Sequence, residues 1–183
     1  MSEGRRRHAS PFLRGGRAGV ASRPGAREGD AIGSRPEALA ESTLSGELRG
    51  GTHYLPVRVY YEDTDFSRHV YHASYIRFLE RGRTELLRSV AVAQSDLYSD
   101  ANGLVFVVRR MTVDFTRPAR MDDVLTVSTS PREIRGASMI LHQRIHRADE
   151  LLLTAEVTVA AVRSGRAVRI PDRLRELLTL GPD

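Results

Sequence analysis

Residues 59–85 read "VYYEDTDFSRHVYHASYIRFLERGRTE", and the hydrophobic period changes inside this stretch. Leading into it, "HYLPVRVYYE" (53–62) alternates Leu55, Val57, Val59 and Tyr61 against Pro56, Arg58, Tyr60 and Glu62. A period of two predicts a half-buried strand, with Pro56 marking an edge or a strand start. From Ala73 onward Tyr75, Phe78, Leu79, Gly82, Leu86 and Val90 recur at helical spacing, and Arg77, Arg81, Arg83, Glu85 and Arg88 fill the other face. That spacing predicts an amphipathic helix of about four or five turns. Gly82 in its middle costs roughly 1 kcal/mol against Ala, so it is expected to mark a close contact with a sheet. At the change of period stand Glu62, Asp63, Asp65, His69 and His72. They are either a solvated turn or the place where chemistry sits.

Outward from the helix, a loop near "SDANG" precedes four alternating runs. Val107, Arg109, Met111, Val113 and Phe115 share one face of a strand ended by Pro118, and Leu125, Val127 and Thr129 form the next, stopped by Pro131. Met139, Leu141, Gln143 and Ile145 follow, then "RADE", then a long run from Leu151 to Ala161 ending at "RSGR". Short connections predict an antiparallel meander. Pro171 is expected to open a short helix, 171–180, with Gly181 at its stop. The expected fold class is α+β: a five-stranded antiparallel sheet wrapped around one long helix, plus a short C-terminal helix. A sheet covered on one face by a single helix leaves open edges, for which dimerisation through a strand edge is the natural remedy.

Composition divides the chain unevenly. Residues 1–50 hold nine of the 15 glycines and little apolar periodicity. They are expected to form a disordered Gly/Arg-rich tail, with one globular domain over 51–183. The tail carries nine Arg against six acidic residues, and the domain 19 against 17, so more than half of the net +5 sits in the tail. Every basic residue is Arg, and Phe12 alone interleaves the tail's charges with an aromatic ring. Phosphate contacts to nucleic acid would use such charge, but stacking groups are lacking, and no nucleic-acid partner is expected. With no cysteine, disulfides, thiol nucleophiles and thiolate zinc sites are excluded. No apolar run approaches the ~20 residues of a membrane span, so stable membrane insertion is not expected. "RRRHASPFLRGG" lacks the apolar core of an export signal, and cytoplasm is the default location.

The acidic turn has two readings. Unpaired N–H groups at a helix N-terminus can hold a developing oxyanion, and a carboxylate a few residues earlier can serve as nucleophile or general base. Those two parts suffice for acyl transfer without Ser or Cys. In the other reading Asp63 and Asp65 cap the helix and solvate the turn. His69 and His72 without a third placed ligand are a weak metal set, so no metal is expected.

"VRVYYEDTD" followed by "VYHASYIRFLERGRTELLR", continuing through "VFVVRRMTVDFTRPARMDDVL", resembles the acyl-CoA thioesterases associated with the Tol-Pal system, within the 4-hydroxybenzoyl-CoA thioesterase-like group. The likeness covers roughly residues 53–175. It implies the hotdog fold, a homodimer with a continuous sheet, usually paired again into a homotetramer, and hydrolysis of acyl-CoA to a carboxylic acid and free CoA with no cofactor. By position, the resemblance implies Asp65 as the catalytic carboxylate and the backbone amide of His72 as the group that polarises the thioester carbonyl. Val70 and Tyr71 fall on positions lining the acyl entrance. The pattern departs at Phe66-Ser67-Arg68-His69, where the group commonly carries glycine before an aliphatic residue. Arg68 in a glycine's positive-φ place would bring strain of about 1 kcal/mol or more. The alternative is a non-catalytic hotdog protein that binds acyl groups or CoA, or acts as a scaffold of the cell-envelope system.

Overall fold

Alternation at 53–58 produces a strand, and it joins six others in one antiparallel sheet. The computed structural model describes residues 44–92 and 103–180. Its strands are β1 (Glu47–Arg49), β2 (Thr52–Arg58), β3 (Val105–Phe115), β4 (Val124–Ile134), β5 (Ser138–Arg147), β6 (Glu150–Arg163) and β7 (Arg166–Ala167). Two helices accompany them, α1 (His72–Val92) and α2 (Asp172–Leu180). The strand order is β1-β2-β4-β5-β6-β3, with β7 pairing β6. The five long strands are those expected from periodicity, and β1 and β7 are additions. β1 pairs with β2 across Gly50 and Gly51, both at positive φ, so the sheet begins at Glu47, ahead of the expected start at residue 51. Residues 1–43 of the expected tail, most of the loop after α1 and the Gly181 stop lie outside the described residues.

Three expectations about the strands are corrected. The meander holds only for β4, β5 and β6; β3 pairs with β6 rather than with its sequence neighbour β4. The connection from β3 to β4 is drawn away by its own backbone bonds: Thr116 and Arg117 donate to Leu152 O, and Asp122 donates to Val59 O. Periodicity reports which face of a strand is buried, not which strand lies beside it. Second, the first long strand ends at Arg58, and the chain enters a 3₁₀ turn at Tyr61–Asp63 that leaves Tyr61 79% exposed instead of on the buried face. Third, β4 runs through Pro131 to Ile134, because a bulge between Pro131 and Glu133 absorbs the missing donor. A second bulge, between Val108 and Arg110, shifts the alternation of β3: Phe106, Met111 and Val113 are the half-buried residues, and Val107 is exposed.

The core sits between α1 and the sheet. Phe78, Leu79 and Leu86 from the helix meet Leu125, Val127, Leu141 and Leu153 from the strands, all at most 1% exposed. Each such side chain contributes about 1.5–3 kcal/mol by leaving water. Gly82 lies where expected: a Cβ there would stand 2.8 Å from Val127 Cγ1 and 2.9 Å from Thr129 Oγ1. Beside it Arg83 Nη1 donates to Gln143 Oε1 (2.8 Å), and Gln143 Nε2 donates to Leu79 O and Thr129 Oγ1 (both 2.9 Å). Arg83, expected on the polar face of α1, is buried instead, and burial pulls its guanidinium below its ordinary pKa. These bonds fix helix against sheet, and so fix where the N-terminus of α1 points.

Candidate active site

Between the 3₁₀ turn and α1 the chain forms a small hairpin. Thr64 and Val70 bridge antiparallel, Arg68 N–H donates to Asp65 O (2.9 Å), and Asp65 N–H donates to His69 O (3.0 Å). This is a three-residue hairpin loop, a turn through Phe66 and Ser67 followed by a left-handed residue. That residue is Arg68, at φ 64°, so the departure from glycine noted in the sequence falls on a position that favours glycine.

Asp65 stands at the exposed tip. Its Oδ1 accepts from Ser67 N–H (2.8 Å) and from Ser67 O–H (2.5 Å), an Asx-turn reinforced by the hydroxyl. These donors, the hydroxyl first, hold the Asp65 carboxyl below the usual carboxylate range, with smaller help from His69 and His72. Asp65 thus does not cap α1, and the capping reading fits Asp63 instead, for a different helix. Asp63 is 2% exposed, accepts Tyr60 N–H at Oδ2 (3.0 Å) and caps the 3₁₀ turn.

His72 is the first residue of α1, and among the described residues no backbone or side-chain acceptor meets its amide. Tyr71 and His72 are both exposed, their ring centroids 4.2 Å apart. Val70 is only 6% exposed and turns into the core, while its amide donates to Ala119 O (2.9 Å). Asp65, Tyr71 and His72 therefore share the accessible rim of one hairpin–helix junction, and Val70 forms its inner support.

The β3–β4 crossover buttresses this junction. Ala119, fully buried, gives its carbonyl to Val70 and its N–H to Tyr75 Oη (2.7 Å), and Arg120 bridges backbone-to-backbone with His69. Arg147 in turn pairs with Asp123 (2.7 Å) and Glu150 (2.5 Å), tying the crossover to the β5–β6 hairpin. Sequence reasoning gave neither Ser67 nor Tyr75 a role at the site. The Asp-x-Ser spacing of an Asx-turn is a legible signal for Ser67; nothing local signals Tyr75, whose partner lies 44 residues away.

A cleft of about 420 Å³ beside the crossover is lined by Arg117, Arg120 and Arg147 with Asp123 and Glu150. Arg117 lies 3.3 Å from Glu150, so most of its charge is balanced locally.

Residues 59–178 match the model of the thioesterase-like superfamily. An acyl-CoA thioester hydrolase, YbgC, of Escherichia coli is 50% identical over 108 residues, 58% of this chain and 79% of the relative. An acyl-CoA thioesterase, YbgC, of Haemophilus influenzae is 44% identical over 112 residues, 61% of this chain and 82% of the relative. Among solved structures, a probable thioesterase from Bartonella henselae superposes with TM-score 0.57 at 40% identity, covering 66% of this chain and 98% of that one. The antiparallel sheet packed on one long helix is accordingly the hotdog thioesterase fold, and this chain belongs to the thioesterase-like superfamily.

Proposed function

We propose that the protein is an acyl-CoA thioesterase that hydrolyses the thioester to a carboxylic acid and free CoA, with Asp65 as the reacting carboxylate. The observation that carries the reading is Asp65 itself: an exposed carboxylate, held ionised by two donors on one oxygen, beside the open first turn of α1. The thioester carbonyl oxygen accepts the His72 amide N–H, which stabilises the charge that develops there. Asp65 either takes a proton from the attacking water or adds to the carbonyl carbon to give an anhydride that water then cleaves. In both routes the C–S bond breaks, the thiolate leaves, and a proton returns to it. Tyr71 flanks the acyl entrance from the exposed side and Val70 from the core side.

A second copy completes the molecule in this reading. β3 is an 11-residue edge strand with Val105, Val107, Val108 and Phe115 exposed, and antiparallel pairing of two such edges would cover them and make a continuous sheet. A panel of acyl-CoA esters, followed by release of free thiol, tests the function. Turnover abolished in Asp65→Asn supports it; binding of acyl-CoA with no thiol released by the parent protein identifies a binding module instead.

A further inference from the structure

One group at the hairpin tip takes no step of its own in that scheme, the hydroxyl of Ser67. It donates to Asp65 Oδ1 at 2.5 Å and lies 3.2 Å from His69 Nδ1. The Ser67 amide donates to the same Oδ1 at 2.8 Å, whereas among the described residues Asp65 Oδ2 meets no donor. We propose that Ser67 is a positioning residue for thioester cleavage, its hydroxyl locking Asp65 through Oδ1 and leaving Oδ2 as the reacting oxygen. The inference rests on Asp65 being the reacting carboxylate, and adds which oxygen reacts and what holds it.

The geometry has three parts. A carboxylate oxygen has two lone pairs, and the two Ser67 donors occupy both on Oδ1, so the carboxylate cannot turn freely. The hydroxyl is itself directed: with the proton of the imidazole on Nδ1, His69 donates to Ser67 Oγ, and the Ser67 proton points to Asp65. Finally, all three residues sit on one hairpin closed by two backbone hydrogen bonds and pinned to the crossover through the His69–Arg120 bridge. The titratable groups that reach Asp65 are His69 on the same hairpin and His72 on α1, and both favour its ionised form. The lock has a consequence for basicity. Donors on Oδ1 keep Asp65 ionised to lower pH, so losing the hydroxyl raises its pKa and activity fails sooner as pH falls.

The test compares Ser67→Ala, Ser67→Thr and Asp65→Asn in the full chain, with acyl-CoA hydrolysis followed across pH. Ser67→Ala is expected to lower kcat about tenfold with KM within about twofold, and to move the acid limb of kcat/KM to higher pH. Ser67→Thr, which keeps the hydroxyl, restores most of the rate and the acid limb. Added to Asp65→Asn, Ser67→Ala changes nothing further, because it acts only through the carboxylate. A Ser67→Ala protein with the parent kcat and acid limb overturns the proposal while leaving Asp65 in place. Loss of turnover in Ser67→Ala as complete as in Asp65→Asn also overturns it, since Ser67 would then be a nucleophile. Parent-level turnover in Asp65→Asn removes the carboxylate reading beneath it.

Discussion

Asp63 and Asp65 are two residues apart in one acidic run, and the fold gives them opposite fates. Asp63 is closed into the seam below the hairpin, where its carboxylate accepts the Tyr60 amide and approaches Arg77 at 3.8 Å. Asp65 projects from the tip, with one oxygen engaged locally and the other open. The difference comes from the backbone between them. The 3₁₀ turn points Asp63 inward, and the hairpin that begins at Thr64 carries Asp65 out. In the proposed reading the seam holds structure and the tip holds chemistry, and each substitution tests one side of that division.

The largest effect is expected at the tip. Asp65→Asn keeps shape but removes the basic oxygen, so kcat should fall by about 10²–10⁴-fold with substrate still bound. Its thermal melting should match the parent, since the Asn side-chain oxygen still accepts from Ser67. An Asp65→Asn protein that loses its fold along with its activity would place Asp65 with the seam.

At the buried contact of α1 with the sheet the prediction reverses. Gly82→Leu should destabilise the protein by about 1–3 kcal/mol despite better helix propensity, because Val127 and Thr129 already crowd the first added carbon. Equilibrium denaturation measures this, and a more stable variant would show that α1 can lift from the sheet without penalty.

Asp63→Ala removes the acceptor for Tyr60 N–H, and a stability loss of about 1 kcal/mol is expected from the lost cap. Asp63→Asn retains an acceptor oxygen and should hydrolyse substrate at close to the parent rate. If Asp63→Asn lost as much turnover as Asp65→Asn, the division between the two aspartates would fail.

The buried contact of α1 with the sheet was more legible in the sequence than the tip. Helical spacing of Tyr75, Phe78, Leu79, Leu86 and Val90 marked the buried face of α1, and Gly82 within it marked the contact with the sheet. Both follow from periodicity, which is a local property. Partner choice is not local: β3 crosses over to β6, and the Tyr75 hydroxyl reaches the Ala119 amide, because groups distant in sequence meet there. The bulges at Val108/Arg110 and Pro131/Glu133 escaped for a related reason, since one extra residue reverses which side chains face the core without changing composition. At the tip, resemblance supplied Asp65 and His72, but the lock on Asp65 belongs to Ser67, a residue peculiar to how this loop departs from the expected glycine pattern.

The smallest effect is expected at Arg68, where the tip bears strain and, among the described residues, no side-chain hydrogen bond accompanies it. Its φ of 64° puts Cβ against the backbone, a conformation that costs an L residue about 1 kcal/mol and glycine almost nothing. Arg68→Gly relieves that strain in the folded state while adding freedom to the unfolded chain, and the two partly cancel. A net gain of roughly 0.5 kcal/mol is therefore expected, read as a rise in Tm of about one to three degrees. The hairpin's closing bonds, Arg68 N–H to Asp65 O and Asp65 N–H to His69 O, involve only backbone and persist in the variant. The comparison is sharpened by measuring hydrolysis at low and high salt. If the Arg68 cation only decorates the rim, Arg68→Gly keeps the parent's salt dependence; if it draws an anionic substrate to the tip, the variant's KM rises at low salt and converges with the parent's as screening increases. A fall in Tm would mean that the Arg68 side chain holds the hairpin shut, and the tip would then depend on its side chains for structure as the seam does.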